Sequence, residues 1–235
     1  MSETVPLFAF DQIRFSRRMG DPPLLSEVSL SLGHGERIGI LGKNGSGKST
    51  LLHIGAGLLQ PGSGRVFYDG NHCLTEKDFV QARKKLGYLL QQAEDQLFCS
   101  SILEDVAFGP YNLGHSATAS EAKARAALQE FGLEHLADRN GQRLSGGEQT
   151  LAALASILVM EVSLLFLDEP TNNLDEHSRA LLMRILERYR LPALIVSHDL
   201  PFLLATCTSF HLLENGTLKH IPRPTAVSHC NIQHG

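Results

Sequence analysis

Within Gly42-Lys43-Asn44-Gly45-Ser46-Gly47-Lys48-Ser49-Thr50, glycines recur at a spacing that lets successive backbone N–H groups turn to one side. Such a nest of donors holds anionic oxygens, and a helix opening directly after it adds free N–H groups and a partial positive charge. Lys48 then reaches the outer phosphates of a nucleoside triphosphate, and the Ser49 hydroxyl takes a place on Mg²⁺. A second chemical element is Leu164-Leu165-Phe166-Leu167-Asp168-Glu169, an apolar run ending in two acids. Two adjacent carboxylates repel each other unless a cation screens them. Beside the glycine-rich loop, Asp168 suits support of that cation and Glu169 suits polarising an attacking water. Standing alone, the pair also reads as a solvated turn after a core strand.

These groups converge only if the chain delivers them to one place. Arg37-Ile38-Gly39-Ile40-Leu41 reads as a buried strand entering the loop, and Ser49-Thr50-Leu51-Leu52-His53-Ile54 as the helix leaving it. Strand-like and helix-like segments alternate downstream, which predicts an α/β fold with a largely parallel central sheet. Apolar runs at Ser163 to Leu167 and Ala193 to Val196 predict buried strands, with a crossover helix from Glu176 to Tyr189 between them. Ahead of the loop, Leu7 to Phe15 and Val28 to Leu32 alternate apolar with polar around the turn-rich Gly20-Asp21-Pro22-Pro23. Together with Arg65-Val66-Phe67-Tyr68 they predict a small N-terminal antiparallel β-layer. From Ser101 to about Leu136 the pattern turns helical, with one helix expected from Ser120 to Phe131, so a helical subdomain is expected at about 93–155. Asn215-Gly216, between His211 to Glu214 and Thr217 to His220, is a two-residue hairpin signal. The expected organisation is a single domain over 1–222 and a short flexible tail over 223–235.

Composition sets outer bounds. A chain of 235 residues that is 43% apolar can bury a sizeable core. Its net charge of −4 offers no basic footprint for nucleic acid. Cys73, Cys99, Cys207 and Cys230 have no paired spacing, which suits reduced thiols better than a disulfide framework. The N-terminus lacks the basic and apolar regions of an export signal, and the longest uncharged apolar run, Leu151 to Met160, is too short to span a bilayer. The expectation is a soluble chain able to dock on a membrane protein.

Between the two phosphate motifs lies Leu144-Ser145-Gly146-Gly147-Glu148, opening a long helix toward Met160. By itself Ser145 followed by Glu148 is a capping box. In order with the glycine-rich loop, Asp168-Glu169, Thr171-Asn172-Asn173-Leu174-Asp175 and Ser197-His198-Asp199, it resembles the ATP-binding cassette (ABC) family of P-loop NTPases, and the ordered set covers most of the chain. That resemblance implies an ATPase working with Mg²⁺ as a head-to-tail homo- or heterodimer. Each ATP would be held by residues 42–50 of one copy and by Ser145, Gly146, Gly147 and Glu148 of the other. It further implies that Glu169 is the catalytic carboxylate, that His198 contacts the γ-phosphate, and that Asp175 meets the partner near its phosphate loop. Gln91 would touch Mg²⁺ and water, joining Ser49 and Asp168 at the metal. Two positions depart from the family pattern. Arg17 stands where an aromatic usually stacks on adenine, with Phe15 a nearby candidate, and Gln149-Thr150-Leu151 follows the signature where an arginine is frequent. A guanidinium also stacks on a purine face, so Arg17 stays compatible with ATP.

The segment Gln91-Gln92-Ala93-Glu94-Asp95-Gln96-Leu97-Phe98, followed by Glu104-Asp105-Val106-Ala107-Phe108-Gly109-Pro110-Tyr111-Asn112-Leu113-Gly114, looks like the ATPase of energy-coupling factor (ECF) importers. By that resemblance the region grips a helix of a transmembrane scaffold, a separate membrane subunit selects the solute, and the ATPase sits at the cytoplasmic face of the membrane. Leu97 and Phe98 would supply the anchor, with Glu94 and Asp95 as charge partners, the alternative being that Leu97, Phe98, Val106 and Phe108 are core residues of the helical subdomain. The importers it resembles include those for cobalt, nickel and vitamins. The alternatives are an ATPase of another ABC transporter type and a soluble ABC ATPase acting on the translation machinery, which usually carries two cassettes in one chain.

Overall fold

The computed structural model describes residues 5–224, so the tail expected over 223–235, with Cys230, lies almost wholly outside the described residues. The N-terminal alternation folds into strands β1 (Phe8–Phe15) and β2 (Leu25–Leu32), paired antiparallel with register shifts at Phe10/Ile13 and Ile13/Phe15. Strand β3 (Arg37–Leu41), buried at every position, runs into helix α1 (Lys48–Gly55). Strands β4 (Ser63–Tyr68) and β5 (Asn71–Cys73) complete a four-stranded antiparallel sheet in the order β2-β1-β4-β5. Helix α2 (Glu76–Arg83), closed at its start by a Thr75/Asp78 capping box, leads to strand β6 (Leu86–Leu89).

A helical stretch follows, with α3 (Ile102–Asn112), α4 (Ala117–Glu130) and α5 (Gly146–Leu158) packed on one another. The expected helix start at Ser120 is corrected here. Ser116 is the N-cap, its side chain accepting from Ala119 N, and Ser120 lies buried one turn inside. Both serines can cap a helix in isolation, and packing against α3 selects the earlier one. The chain ends in β7 (Leu164–Asp168), α6 (Glu176–Tyr189), β8 (Ala193–Val196), α7 (Leu200–Thr206) and the hairpin β9 (Ser209–Glu214) and β10 (Thr217–Ile221).

The second sheet has the order β10-β9-β3-β8-β7-β6 and is parallel except for the β9/β10 hairpin. Its central strands β3, β8 and β7 are buried at every position because both faces are covered, whereas the edge hairpin β9/β10 carries polar residues such as His211, Lys219 and His220. Ile38, Ile40, Leu164, Phe166, Leu194 and Val196 point into a core shared with α1 and the antiparallel layer. Leu41, Leu165, Leu167, Ala193 and Ile195 point into the other core, against α3 to α7. The period of two in side-chain direction thus divides each strand between two cores.

Phe8 joins the layers. It is fully buried, and its ring meets Phe10, Tyr68 and Phe166 edge-on at 4.8, 4.9 and 5.1 Å between centroids. Phe8→Ala should therefore lower stability by about 3–5 kcal/mol, read from the shift in denaturant midpoint.

Candidate nucleotide-binding site

Strand register decides which side chains meet. Ile40 pairs with Val196, Val196 with Asp168, and Leu167 with Leu89, so β3, β8, β7 and β6 end at one edge. From that edge emerge the glycine-rich loop, Ser197-His198, Asp168-Glu169 and Leu90-Gln91. This is where open parallel sheets bind ligands, because the loops leaving the carboxyl ends diverge around a crevice.

The loop is built for an anion. Gly42, Gly45 and Gly47 have φ of 152°, 80° and 105°, and α1 starts on Gly47 with no side chain capping its N–H groups. Lys48 is 8% exposed and donates to Gly42 O at 2.8 Å and Lys43 O at 2.9 Å, folded back over its own loop. Burial holds its ammonium below the usual lysine range, with Glu169 and Asp168 pulling the other way. A bound phosphate would restore the charge partner that this buried lysine lacks. Ser46 Oγ is buried without a hydrogen-bond partner, a further polar atom available to a ligand. Lys43, Asn44 and Gly45 are exposed, while Ser49 and Thr50 are half-buried in the first turn of α1.

The acids lie beside this loop. Asp168 is 2% exposed, with Oδ1 buried and unpartnered. Burial raises its pKa, and the hydrogen bond with the Ser49 side chain opposes the rise. A buried carboxylate oxygen without a partner beside a hydroxyl is a donor set that suits Mg²⁺, which favours hard oxygen ligands. Glu169 adopts a left-handed backbone, φ 50°, and donates its N–H to Val196 O at 2.8 Å. Its Oε2 accepts from His198 N at 3.1 Å and lies 2.8 Å from His198 Nδ1. The carboxylate is thus held against the end of β8, while the His198 ring is 59% exposed on the crevice side. Gln91 is exposed two residues past β6; its turn is braced by Gln96, which accepts from Leu90 N at 2.8 Å and donates to Tyr88 O at 3.0 Å.

Other expected residues lie apart from this cluster. Ser145 caps α5 in a reciprocal box, with Glu148 Oε2 accepting from Ser145 N at 2.7 Å, so the Glu148 carboxylate serves its own helix. Gly146 and Gly147 pack tightly, since a Cβ on either would come within 2.9 Å of Asn173 or Ser178. Asp175 caps α6 through Ser178 N at 2.7 Å, which holds its carboxyl below the usual range. None of these residues lines the cleft of about 320 Å³ against the glycine-rich loop. Pro23, Leu24 and the β9/β10 tip from Leu212 to Gly216 form its other wall, with Ser26 N donating to Gly216 O at 2.7 Å. The sequence reading missed that wall. The Asn-Gly turn signalled a hairpin, but a local turn says nothing of what its tip will touch. Arg17 is exposed in the β1–β2 connection, and Phe15 is half-buried against the core, neither of them lining this cleft.

Fold and site together define a P-loop ATPase with an antiparallel β-layer beside its parallel sheet. The family model for ABC transporters matches residues 25–172, and the chain belongs to that family, whose ATPases couple ATP hydrolysis to transport. A relative from Nitratidesulfovibrio vulgaris is 45% identical over 233 residues, covering 98% of this chain and 84% of that protein. The energy-coupling factor transporter ATP-binding protein EcfA of Methanothermobacter thermautotrophicus is 37% identical over 201 residues, 83% of this chain and 64% of its own length. Among solved structures, cbiO1 from Clostridium perfringens, part of the ABC transporter complex cbiONQ, matches with a TM-score of 0.79 at 30% identity, covering 91% of this chain and 87% of that one. The ATP-binding cassette MJ0796, a dimer in a post-hydrolysis state bound to ADP and Pi, matches with a TM-score of 0.82 at 25% identity, over 93% and 99% of the two chains.

Replacing Lys48 would remove the charge-assisted contact that its ammonium is placed to make to a bound phosphate. Lys48→Ala should weaken Mg-ATP binding about 10- to 100-fold, measured by calorimetric titration, with the melting temperature of the free protein unchanged or raised.

Proposed function

We propose that this chain is the ATP-binding and ATP-hydrolysing subunit of an ECF-type importer, acting as a head-to-tail dimer on a transmembrane scaffold. The observation that carries the dimer is the separation of the two phosphate-binding helix ends. Residues 42–46 of the glycine-rich loop line the cleft, whereas Ser145 and the start of α5 do not reach it in the same copy. A second copy is what brings a signature segment to the open side, and MJ0796, a neighbour in fold, is a dimer. In this reading residues 1–222 form one cassette with its helical part inserted at about 93–155.

Ser49, Asp168 and Gln91 would hold Mg²⁺, which supplies charge neutralisation on the phosphate oxygens during transfer. Glu169 polarises the attacking water. His198 fixes the orientation of Glu169 and reaches the γ-phosphate from the end of β8. Ser145, Gly146 and Gly147 of the opposite copy donate to the same phosphate, and Asp175 meets that copy beside its phosphate loop. Because ATP contacts both copies, its binding energy favours the closed pair, and loss of the γ-phosphate lets the pair part.

The scaffold contact is supported by a ridge of aromatic surface. Phe98 and Phe108 are 66% and 47% exposed and meet edge-on at 5.1 Å, while Tyr111 continues the patch one turn along α3 and Leu113, just past the helix end, is also exposed. Asp105 stiffens it, with Oδ1 accepting from Phe98 N and Cys99 N at 2.9 Å each. Leu97, expected beside Phe98 as an anchor, is instead buried against Gly141 and belongs to the core. Glu104 lies beside Phe108 and Tyr111, and Glu94 and Asp95, exposed shortly before Phe98 in the chain, add negative charge that suits a scaffold helix bearing cations. EcfA and cbiO1 support the ECF assignment, and the cargo class that goes with it is a transition-metal ion, cobalt or nickel, or a vitamin, chosen by a separate membrane subunit.

Glu169→Gln should lower kcat about 100-fold or more and accumulate a Mg-ATP-dependent dimer in light scattering; a monomer at saturating Mg-ATP, with the membrane subunits supplied, overturns the clamp. Phe98→Ser with Phe108→Ser should weaken co-purification of the membrane scaffold by about 30-fold or more, with ATP affinity unchanged.

A further inference from the structure

The first turn of α6 touches both halves of the machinery. On one side it carries the signature: a Cβ on Gly147 would lie 2.9 Å from Ser178 Oγ, and one on Gly146 2.9 Å from Asn173 Cβ, so both glycines exist in contact with this turn and the loop before it. On the other side, Arg179 Nη2 reaches across to Asp199 Oδ1 at 2.8 Å. Asp199 follows His198 directly and also caps α7 by accepting from Phe202 N at 2.9 Å. A second tie runs parallel to it, in which Asp199 N donates to Ser197 Oγ and that hydroxyl lies 3.3 Å from Thr171 Oγ1. Arg179 and Asp199 are only 35% and 17% exposed, so solvent screens this pair less than a surface ion pair.

The geometry points to Arg179 as a positioning residue: through Asp199 it holds His198 against Glu169 and ties that pair to the α6 turn on which the signature glycines are packed. The inference rests on the catalytic roles proposed for Glu169 and His198. Without the ion pair, the Ser197–Asp199 segment keeps its helix cap but loses its anchor to α6, and the 2.8 Å contact between His198 Nδ1 and Glu169 Oε2 becomes one of several arrangements. The loss falls on turnover and not on nucleotide affinity, because neither Arg179 nor Asp199 belongs to the glycine-rich loop and first turn of α1 that offer donors to the phosphates.

The test is a double-mutant cycle on the full chain, with steady-state ATP hydrolysis and thermal melting measured together. Asn caps helices as well as Asp, so Asp199→Asn keeps the α7 cap while removing the charge. Arg179→Met and Asp199→Asn should each lower kcat about tenfold with KM for ATP within about twofold, and the double variant should be no slower than the slower single. Arg179→Lys should recover most of the rate, because only one nitrogen–oxygen contact is made. Wild-type kcat in either single variant, multiplied losses in the double, or a lysine variant as slow as the methionine one overturns the proposal. So does a rate loss that only follows a lower melting temperature. His198→Ala run alongside separates the two levels of argument: if it is inactive while Arg179→Met turns over at the wild-type rate, the catalytic reading stands and the positioning role falls; if it turns over at the wild-type rate itself, both fall.

Discussion

Two-sided burial of the parallel sheet is the constraint from which the site follows. Its central strands β3, β8 and β7 are covered by α1 and the antiparallel layer on one face and by α3 to α7 on the other, so polar groups leave these strands only at their ends. Pairing of β3, β8, β7 and β6 in register brings their carboxyl ends level, and Gly42, Ser197, Asp168 and Leu90 mark a single edge. Chemistry concentrates there because that edge is the first place where backbone and side-chain polar groups escape the two cores.

Helix starts at this end of the molecule are treated differently. α1 opens on a left-handed glycine with no side-chain cap, leaving its N–H groups free. α5 and α6 are capped by Ser145 and Asp175, so their first turns are rigid before any ligand arrives. An uncapped start within a glycine nest suits full enclosure of a phosphate, whereas a capped start suits a second contact made from outside. The left-handed backbone of Glu169 belongs to the same economy, since it turns the carboxylate back toward β8, where His198 receives it.

Local pattern carried much of the architecture. The crossover helix from Glu176 to Tyr189 and the Asn215-Gly216 hairpin have the boundaries and turn that periodicity and turn chemistry demand. α2, β5, β6 and α7 were less legible because they are short. β6 has only four residues, and Gly87 breaks its apolar run for a packing reason, a Cβ there colliding with Leu165 and Ile157. The starting point of α4 and the burial of Leu97 were misjudged for a common reason: both depended on which neighbour packs against a locally ambiguous residue.

Residue types and spacing marked the phosphate-holding loop and the two acids, and the resemblance to ABC ATPases added the signature and the histidine, because each is a short contiguous segment whose backbone demands are local. Their convergence, the tip of the β9/β10 hairpin walling the cleft, the Glu148 carboxylate turned to its own helix, and the reach of Arg179 to Asp199 across 20 positions of sequence were decided by tertiary structure. The physical reason is that hydrogen-bond and ion-pair partners far apart in the chain are chosen by strand order and helix packing, which emerge only once both faces of the sheet are covered.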